Sequence, residues 1–508
     1  MQNNLNARTT SPQNTPSPDP KLTFLRDPLR PLRLCVKRAA QIAIAIALTV
    51  RADAQPNTNV LTALSPHPSP MGLERVAEGR VRVGVAATNF DNGSNLVVTA
   101  DYLTQLSEEM RTNHPALRAA DARTQAAMEN IRTVRTWDDP EARLGGMAAR
   151  DEMRADDGDL IYGVEQKLPL FGKPKLARRV ASAEAEIESA SAEFEFQQLR
   201  SELARTAFRA ALASEMVSIG EEDLNWLKVI SQTIDSKYRG GQAALVEVLQ
   251  IQNELGKRAT QLQTDRDQLA HEHVSLNRFL NRDQQSSWPA MELPPVAAPV
   301  KFTPRLVELA LKYEPKIRLM QQQIKQAEAS VELTRRQRLP DVNVGLEARN
   351  YTGDGSFRQG MLVFSMNLPW ANSRKYRSEI KREESKLKAT EFDLADYQAG
   401  LREEVHQLTI RIDAARREAL LYRDEILPRT QAALDSTRAE WESNRGSIRD
   451  LLDARRLLLE ARSSYVRAVA TQYEMLSDLV LCCGLGDLGA LQMIAAESET
   501  NAVVDPIK

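Results

Sequence analysis

The sequence is short of the residues that compact enzymes are built from. Aromatic side chains make up 5% of its 508 residues, and there are five histidines. Few aromatics in a chain this long are typical of extended helices that bury only a narrow apolar seam. The histidines do not form a zinc pattern. His67, His114 and His406 are isolated, and His271-Glu272-His273 sets its imidazoles at i,i+2, which face opposite sides of a helix. We read that trio as a solvated helix face. With no phosphate loop, nucleophile elbow or zinc motif, the chain is read as a non-enzyme with no cofactor and no metal. Charge of one sign is also lacking: 67 basic and 69 acidic residues leave a net charge of -2, without the basic face that nucleic acid requires. Of three cysteines, Cys35 precedes an apolar run and so is not of the lipoprotein type, whereas Cys482 and Cys483 are adjacent. Neighbouring cysteines pair only in a strained ring, so these two are read as free and packed in a helix, with pairing between chains as the alternative. Beyond residue 54 there is no apolar stretch of the roughly twenty residues a membrane helix needs, so any crossing must be made of strands.

What is present begins with a targeting segment, residues 1–54. Arg30, Arg33, Lys37 and Arg38 form a basic start, Ala39 to Val50 is apolar, and Ala52-Asp53-Ala54 has the form of a cleavage site. Residues 55–98 are rich in Pro, Asn and Ser and read as extended.

The remainder is written twice. In residues 99–285, a helix from Ala100 to about Trp137 ends at Asp139-Pro140; strands at about 141–149 and 160–168 lead through Leu168-Pro169-Leu170-Phe171-Gly172-Lys173 into a helix that reaches Tyr238. A Gly240-Gly241 turn and a return helix to Arg282 follow, and 286–302 is a Pro-rich linker. Residues 303–485 repeat the order at an offset of 200: Thr303-Pro304 opens a helix to Arg338, strands lie at about 341–350 and 360–368, and Leu368-Pro369-Trp370 starts a helix from Lys375 to about Trp441. That helix carries Leu387, Leu394, Leu401, Leu408, Ala415 and Tyr422 in one heptad series and Val405, Ile412, Ala419 and Ile426 in another, the signature of coiled-coil packing. At its turn Trp441, Asn444 and Asp450 answer Tyr238, Gly241 and Glu247 at an offset of 203, and the tail is 486–508. Gly and Asn both tolerate the left-handed conformation such a turn demands.

The fold class is therefore mainly α with a small β part, in two tandem repeats of helix, two strands, long helix and return helix. One strand face is apolar (Leu144, Tyr162, Val164, Val342, Val344, Leu346, Leu362, Phe364) and the other mixed, as a lipid-embedded barrel requires. Trp137, Tyr162, Phe171, Tyr351, Phe364 and Trp370 would supply its aromatic girdles. Four strands cannot close a barrel, since the smallest have about eight; three copies would supply about twelve. The competing reading is a periplasmic coiled-coil adaptor or scaffold, with the hairpins packed on helices.

Over residues 96–485 the order of elements, the turns around Pro169, Gly172 and Pro369, and the tips Tyr238–Leu249 and Trp441–Leu452 resemble the TolC-like outer-membrane factor family. The resemblance implies a homotrimeric exit duct in the outer membrane of a Gram-negative bacterium. A twelve-stranded barrel would continue as a helical tunnel of roughly 100 Å across the periplasm. It would take substrate from an inner-membrane pump and a periplasmic adaptor docking at Gly240, Gly241, Asn444 and Gly446. It also implies a periplasmic gate of stacked carboxylate rings, which map to Asp450 and Asp453, and a polar lock, which maps to Glu247 and Trp441. The family's lock arginine falls on Gly446, a departure for which Arg445 or Arg449 could substitute. The divergent tips and strands resemble the branch that serves RND-type metal-cation exporters.

Overall fold

The structure is a computed structural model that describes residues 96–134, 137–147, 159–351, 355–486 and 488–490. The expected targeting segment, nearly all of the extended stretch after it, the acidic loop 150–158 and most of the tail lie outside these residues. The described chain is mainly helical with a small sheet part.

Strand β1 (Leu96–Val97) precedes helices α1 (Ala100–Asn113) and α2 (Pro115–Thr133), and strands β2 (Glu141–Met147) and β3 (Asp159–Leu168) follow. Next come α3 (Lys173–Arg239), α4 (Leu245–Leu280) and a two-residue strand, β4 (Met291–Glu292). The same order then recurs as α5 (Pro304–Tyr313), α6 (Pro315–Gln337), β5 (Val342–Tyr351), β6 (Phe357–Met366), α7 (Ser373–Leu421), α8 (Leu427–Glu442) and α9 (Ile448–Cys482). The 67 residues of α3 span about 100 Å at the α-helical rise.

Three helices expected to be continuous are not. His114 and Glu314, each just before a proline, take ψ 126° rather than a helical value. The ring of a following proline crowds the preceding residue out of the α region, so α1 parts from α2 and α5 from α6. Thr99 caps α1, accepting from the Tyr102 N–H at 3.3 Å, and Glu314 caps α6, accepting from Ile317 N–H at 2.6 Å. Thr303 sits at the cap position of α5 without a side-chain bond. The third break is a π turn, Tyr422–Ile426, between α7 and α8. Pro428 is its cause: it has no N–H for the carbonyl of Asp424 and its ring clashes there, so one extra residue is wound into the ladder ahead of it.

The heptad positions Leu401, Val405, Leu408, Ile412, Ala415 and Ala419 are buried. All but Ala415 belong to a core shared with Phe208, whose ring centroid is 5.0 Å from that of Tyr473, and with Leu276, Phe279 and Leu479. The Pro-rich linker is pinned across this core. Gln472 both donates to the Ala297 carbonyl and accepts from its N–H, at 3.2 and 3.1 Å, and the Tyr473 hydroxyl donates to the Pro295 carbonyl at 2.7 Å. Its β4 pairs in parallel with β1. Side chains thus satisfy backbone groups that a non-helical buried segment would otherwise leave open. Cys482 and Cys483 are free and buried here. The histidine trio is not uniformly solvated. Glu272 is buried and accepts from the Gln268 amide at 2.5 Å, and His273 lies against Trp288, because the linker folds back over this end of α4.

The four longer strands form one antiparallel sheet in the order β2-β3-β5-β6. Registers Ala142–Val164–Leu346–Leu362 and Leu144–Tyr162–Ala348–Gly360 put the expected apolar residues on one face, joined by Val344 beside Phe364 and Val342 beside Met366. Among the described residues no helix covers that face: Leu144 is 84% exposed, Leu346 68% and Phe364 67%. The opposite face carries Glu165, which accepts from Ser365 at 2.9 Å and pairs with Arg143, and the pair Glu347–Arg349. No described helix is long and apolar enough to cross a membrane.

Candidate functional site

The site is built where the two long hairpins turn. At the first tip Gln242 N–H donates to the Lys237 carbonyl at 2.8 Å and Gly241 takes φ +70°; at the second, Arg445 N–H donates to the Glu440 carbonyl at 2.8 Å and Asn444 takes φ +57°. These are the same six-to-one closure with a left-handed residue at the same place, which only Gly and Asn accept cheaply. Gly240 stands beside this bond at φ -81°. A Cβ on Gly446 would meet the Glu440 Cβ at 3.0 Å and the Trp441 nitrogen at 3.2 Å. A Cβ there would crowd the preceding turn by a few tenths of an ångström. Gly241→Ala should cost about 1 kcal/mol through its positive φ; thermal unfolding followed by helical circular dichroism measures it.

Ser447 opens α9: its hydroxyl accepts from the Asp450 N–H at 3.2 Å and bonds the Asp450 carboxylate at 2.8 Å. Asp450 and Asp453 are both exposed, on one face of the first turns of α9. Asp453 accepts from Arg456 at 2.9 Å.

Among the described residues no hydrogen bond joins Glu247 to Trp441, so the lock is not formed as drawn within one chain. Trp441 is 6% exposed. It packs among Ile234, Val248, Leu434 and Leu451 in the core beneath the tips. Its partner across the hairpins is Lys237, whose Nζ lies 4.3 Å from the ring centroid, 3.4 Å from the Trp441 carbonyl and 2.9 Å from Asn444 Oδ1. Lys237 went unremarked in the sequence, although it directly precedes Tyr238, the counterpart of Trp441.

Below the tips, charge ties three helices together. Asp223 of α3, 2% exposed, accepts from Arg455 Nε of α9 at 2.9 Å and pairs with Arg258 of α4 at 3.1 Å. Arg455 also lies over the Trp226 ring, 5.0 Å from its centroid. Glu254 of α4 accepts from Nε and Nη2 along one edge of the Arg456 guanidinium, at 3.2 and 2.7 Å, and lies 3.8 Å from Arg258. The Arg456 hydrogen bonds and charge hold the Glu254 carboxyl below its ordinary value of 4.5. A carboxyl that is more acidic folded than unfolded stabilises the fold above its ordinary value and loses that contribution as pH falls through the lower, folded one. The thermal midpoint should therefore fall more steeply below about pH 4.5 in the wild type than in Glu254→Gln, whose neutral amide has nothing to titrate; parallel curves would deny Glu254 this role.

At the other end of the helices, Pro169 leads into a turn in which Phe171 and Gly172 take φ +60° and +71°, so α3 starts from a left-handed cap. The matching turn after Leu368, Pro369–Asn372, uses no positive φ. Trp137, Phe171 and Trp370 stand exposed at this level. A cleft of about 1010 Å³ between α2, α3, α6 and the strand ends is lined by both signs of charge, with Lys173 bonded to Asp341 at 2.8 Å. No group of His, Cys, Asp and Glu among the described residues could hold a metal ion.

Comparison with known proteins gives this geometry a context. The sequence profile of the outer membrane efflux protein family matches residues 106–282 and 306–485. Among curated proteins no sequence match was found. The fold is similar to three solved structures. CusC has a TM-score of 0.66 at 15% identity, over 78% of this chain and 96% of that one. The outer-membrane channel OprN has 0.65 at 16%, over 77% and 90%. The outer membrane protein VceC of Vibrio cholerae has 0.63 at 15%, over 76% and 97%. These likenesses are nearly equal and do not single out a metal-cation branch. They share one fold of strands and long helices, and the family profile spans both halves of the chain. The chain belongs to the outer membrane efflux protein family, proteins of the Gram-negative outer membrane.

Proposed function

We propose that three copies of this chain assemble into the exit duct of a tripartite efflux system. The observation that carries the reading is the uncovered sheet. Its apolar face is exposed at Leu144, Val164, Leu346, Leu362 and Phe364, and among the described residues the outer edges of β2 and β6 have no partner strand. Bare edges and a bare apolar face are liabilities that lipid and neighbouring copies remove together. Three four-stranded sheets would close a barrel of twelve, polar side inward. The tandem halves would then give each copy two helical hairpins, and the trimer a tunnel of six.

In this reading Pro169, Gly172 and Pro369 turn the chain from barrel to tunnel. The tips around Gly240, Gly241, Asn444 and Gly446 receive a periplasmic adaptor, and an inner-membrane pump of the RND type supplies substrate. Asp450 and Asp453 ring the entrance as two levels of carboxylates, which attract cations. The lock includes Trp441 and Lys237 within each copy, and Glu247 faces a neighbour. The duct is passive. The scaffold reading has no support from the fold, which is similar to channels over about three quarters of the chain.

Reconstitution in planar bilayers tests this. The protein should sediment with outer membranes and, once purified, give discrete conductance steps; joint replacement of Asp450 and Asp453 by Ala should change conductance or cation block. A mature protein that stays fully soluble without detergent and conducts nothing would reject the duct.

A further inference from the structure

The two acids of the proposed gate are not equivalent. Asp453 is the outer end of a chain of contacts that runs Asp223, Arg455 and Arg258, Glu254, Arg456, Asp453. The cluster holds three carboxylates and three guanidiniums, so its formal charge is zero. Asp450 lies three residues away on the same helix face and outside this cluster. Its side-chain bond is to the Ser447 hydroxyl, and among the described residues it has no cationic partner. Arg456 is held in place by a bidentate grip on Glu254, a carboxylate that is itself 6% exposed. Its remaining arm reaches Asp453 at 2.9 Å in a charge-assisted bond, with both side chains about half exposed (47% and 55%).

We propose that Arg456 sets the charge of the gate: it neutralises Asp453, so that the ring of Asp450 carboxylates alone offers free negative charge to a passing or blocking cation. The proposal rests on the reading of Asp450 and Asp453 as gate residues. A neutral pair presents a dipole whose field fades over a few ångströms, whereas three unpaired carboxylates around a narrow axis act together on a small divalent cation. Arg456 thereby acts as a specificity-determining residue one shell behind the pore. It limits how tightly cations hold the entrance and links the gate's charge to the position of the first hairpin through Glu254.

The test is Mg2+ block of the reconstituted channel in planar bilayers, with the cation added on the tip side. Asp450→Asn should weaken block far more than Asp453→Asn does. Arg456→Gln should uncover a second ring and tighten block about tenfold, an increment of about 1.4 kcal/mol. Arg456→Lys, which keeps the charge, should return block towards the wild-type value. Glu254→Gln leaves Arg456 to Asp453 alone and should not tighten block. If it tightens block as Arg456→Gln does, the effect comes from a loosened hairpin and the proposal fails. Block by Arg456→Gln within twofold of wild type, while Asp450→Asn still abolishes it, would overturn the role of Arg456 and leave the gate standing. Unchanged block in Asp450→Asn/Asp453→Asn would instead remove the gate itself. Should Arg456→Gln fail to assemble, the two single asparagine variants decide: equal effects overturn the proposal.

Discussion

Asp223→Ala is expected to destabilise the protein by about 3–5 kcal/mol, the usual cost of removing one partner of a buried ion pair. Asp223 is 2% exposed and has two cations on it, Arg455 at 2.9 Å and Arg258 at 3.1 Å. Arg455, 9% exposed, cannot turn to water while it is held against Trp226. Deleting the acid leaves that charge desolvated and unpaired. The loss belongs to the unmatched charge and not to the pair as such. Asp223→Leu combined with Arg455→Met should therefore regain much of it, because a well-packed apolar pair replaces a buried ionic one at little cost. Glu222, the next residue, pairs with Arg462 at 2.9 Å, but its side chain is 60% exposed; Glu222→Ala should cost at most about 1 kcal/mol. Denaturant or thermal unfolding in detergent, followed by helical circular dichroism, separates the three. A stability for Asp223→Ala within 1 kcal/mol of wild type would show that water reaches the site.

Leu346→Arg is the second large effect. Leu346 pairs with Val164 on one side and Leu362 on the other, at the middle of the apolar face, and is 68% exposed within one chain. In a soluble protein an exposed leucine can become arginine at almost no cost. In a barrel wall the same change puts a charge near the bilayer midplane, at about 2–4 kcal/mol per copy, and each trimer carries three. The variant should be depleted from the outer membrane fraction and enriched in degraded material. Glu347→Gln, one residue on and facing the other way, should localise as wild type does. Equal amounts of both variants in the outer membrane would place the apolar face out of lipid.

The parts legible in the sequence were those with a local period. Alternation placed Val164, Leu346 and Leu362 on one face, and the heptads of α7 named its buried seam from Leu401 to Ala419. The matched turns at Gly241 and Asn444 could be read because each needs a residue that tolerates positive φ. The breaks in the helices were not read, although Pro115, Pro315 and Pro428 each forbid a continuous ladder: periodicity continues on both sides of each proline, and at Pro428 the heptads run straight past it. The ion cluster was not legible. Asp223 and Arg455 are 232 residues apart and Glu254 and Arg456 are 202 apart, and on the sequence each is one more charge on a charged helix. Only the packing of α3, α4 and α9 selects those four side chains from the chain's 136 charged residues.

The most direct test of the shared barrel is thiol labelling at two neighbouring positions on β6 in intact outer membranes. Phe364 lies on the apolar face and Ser365 on the polar one, and both are exposed in the single chain. The buried Cys482 and Cys483 leave the background low, because burial pushes both thiols well above their ordinary range. With a membrane-impermeant thiol reagent, Ser365→Cys should react through the water-filled lumen and Phe364→Cys should be shielded by lipid. Equal reaction at both positions would contradict the barrel and the duct built on it.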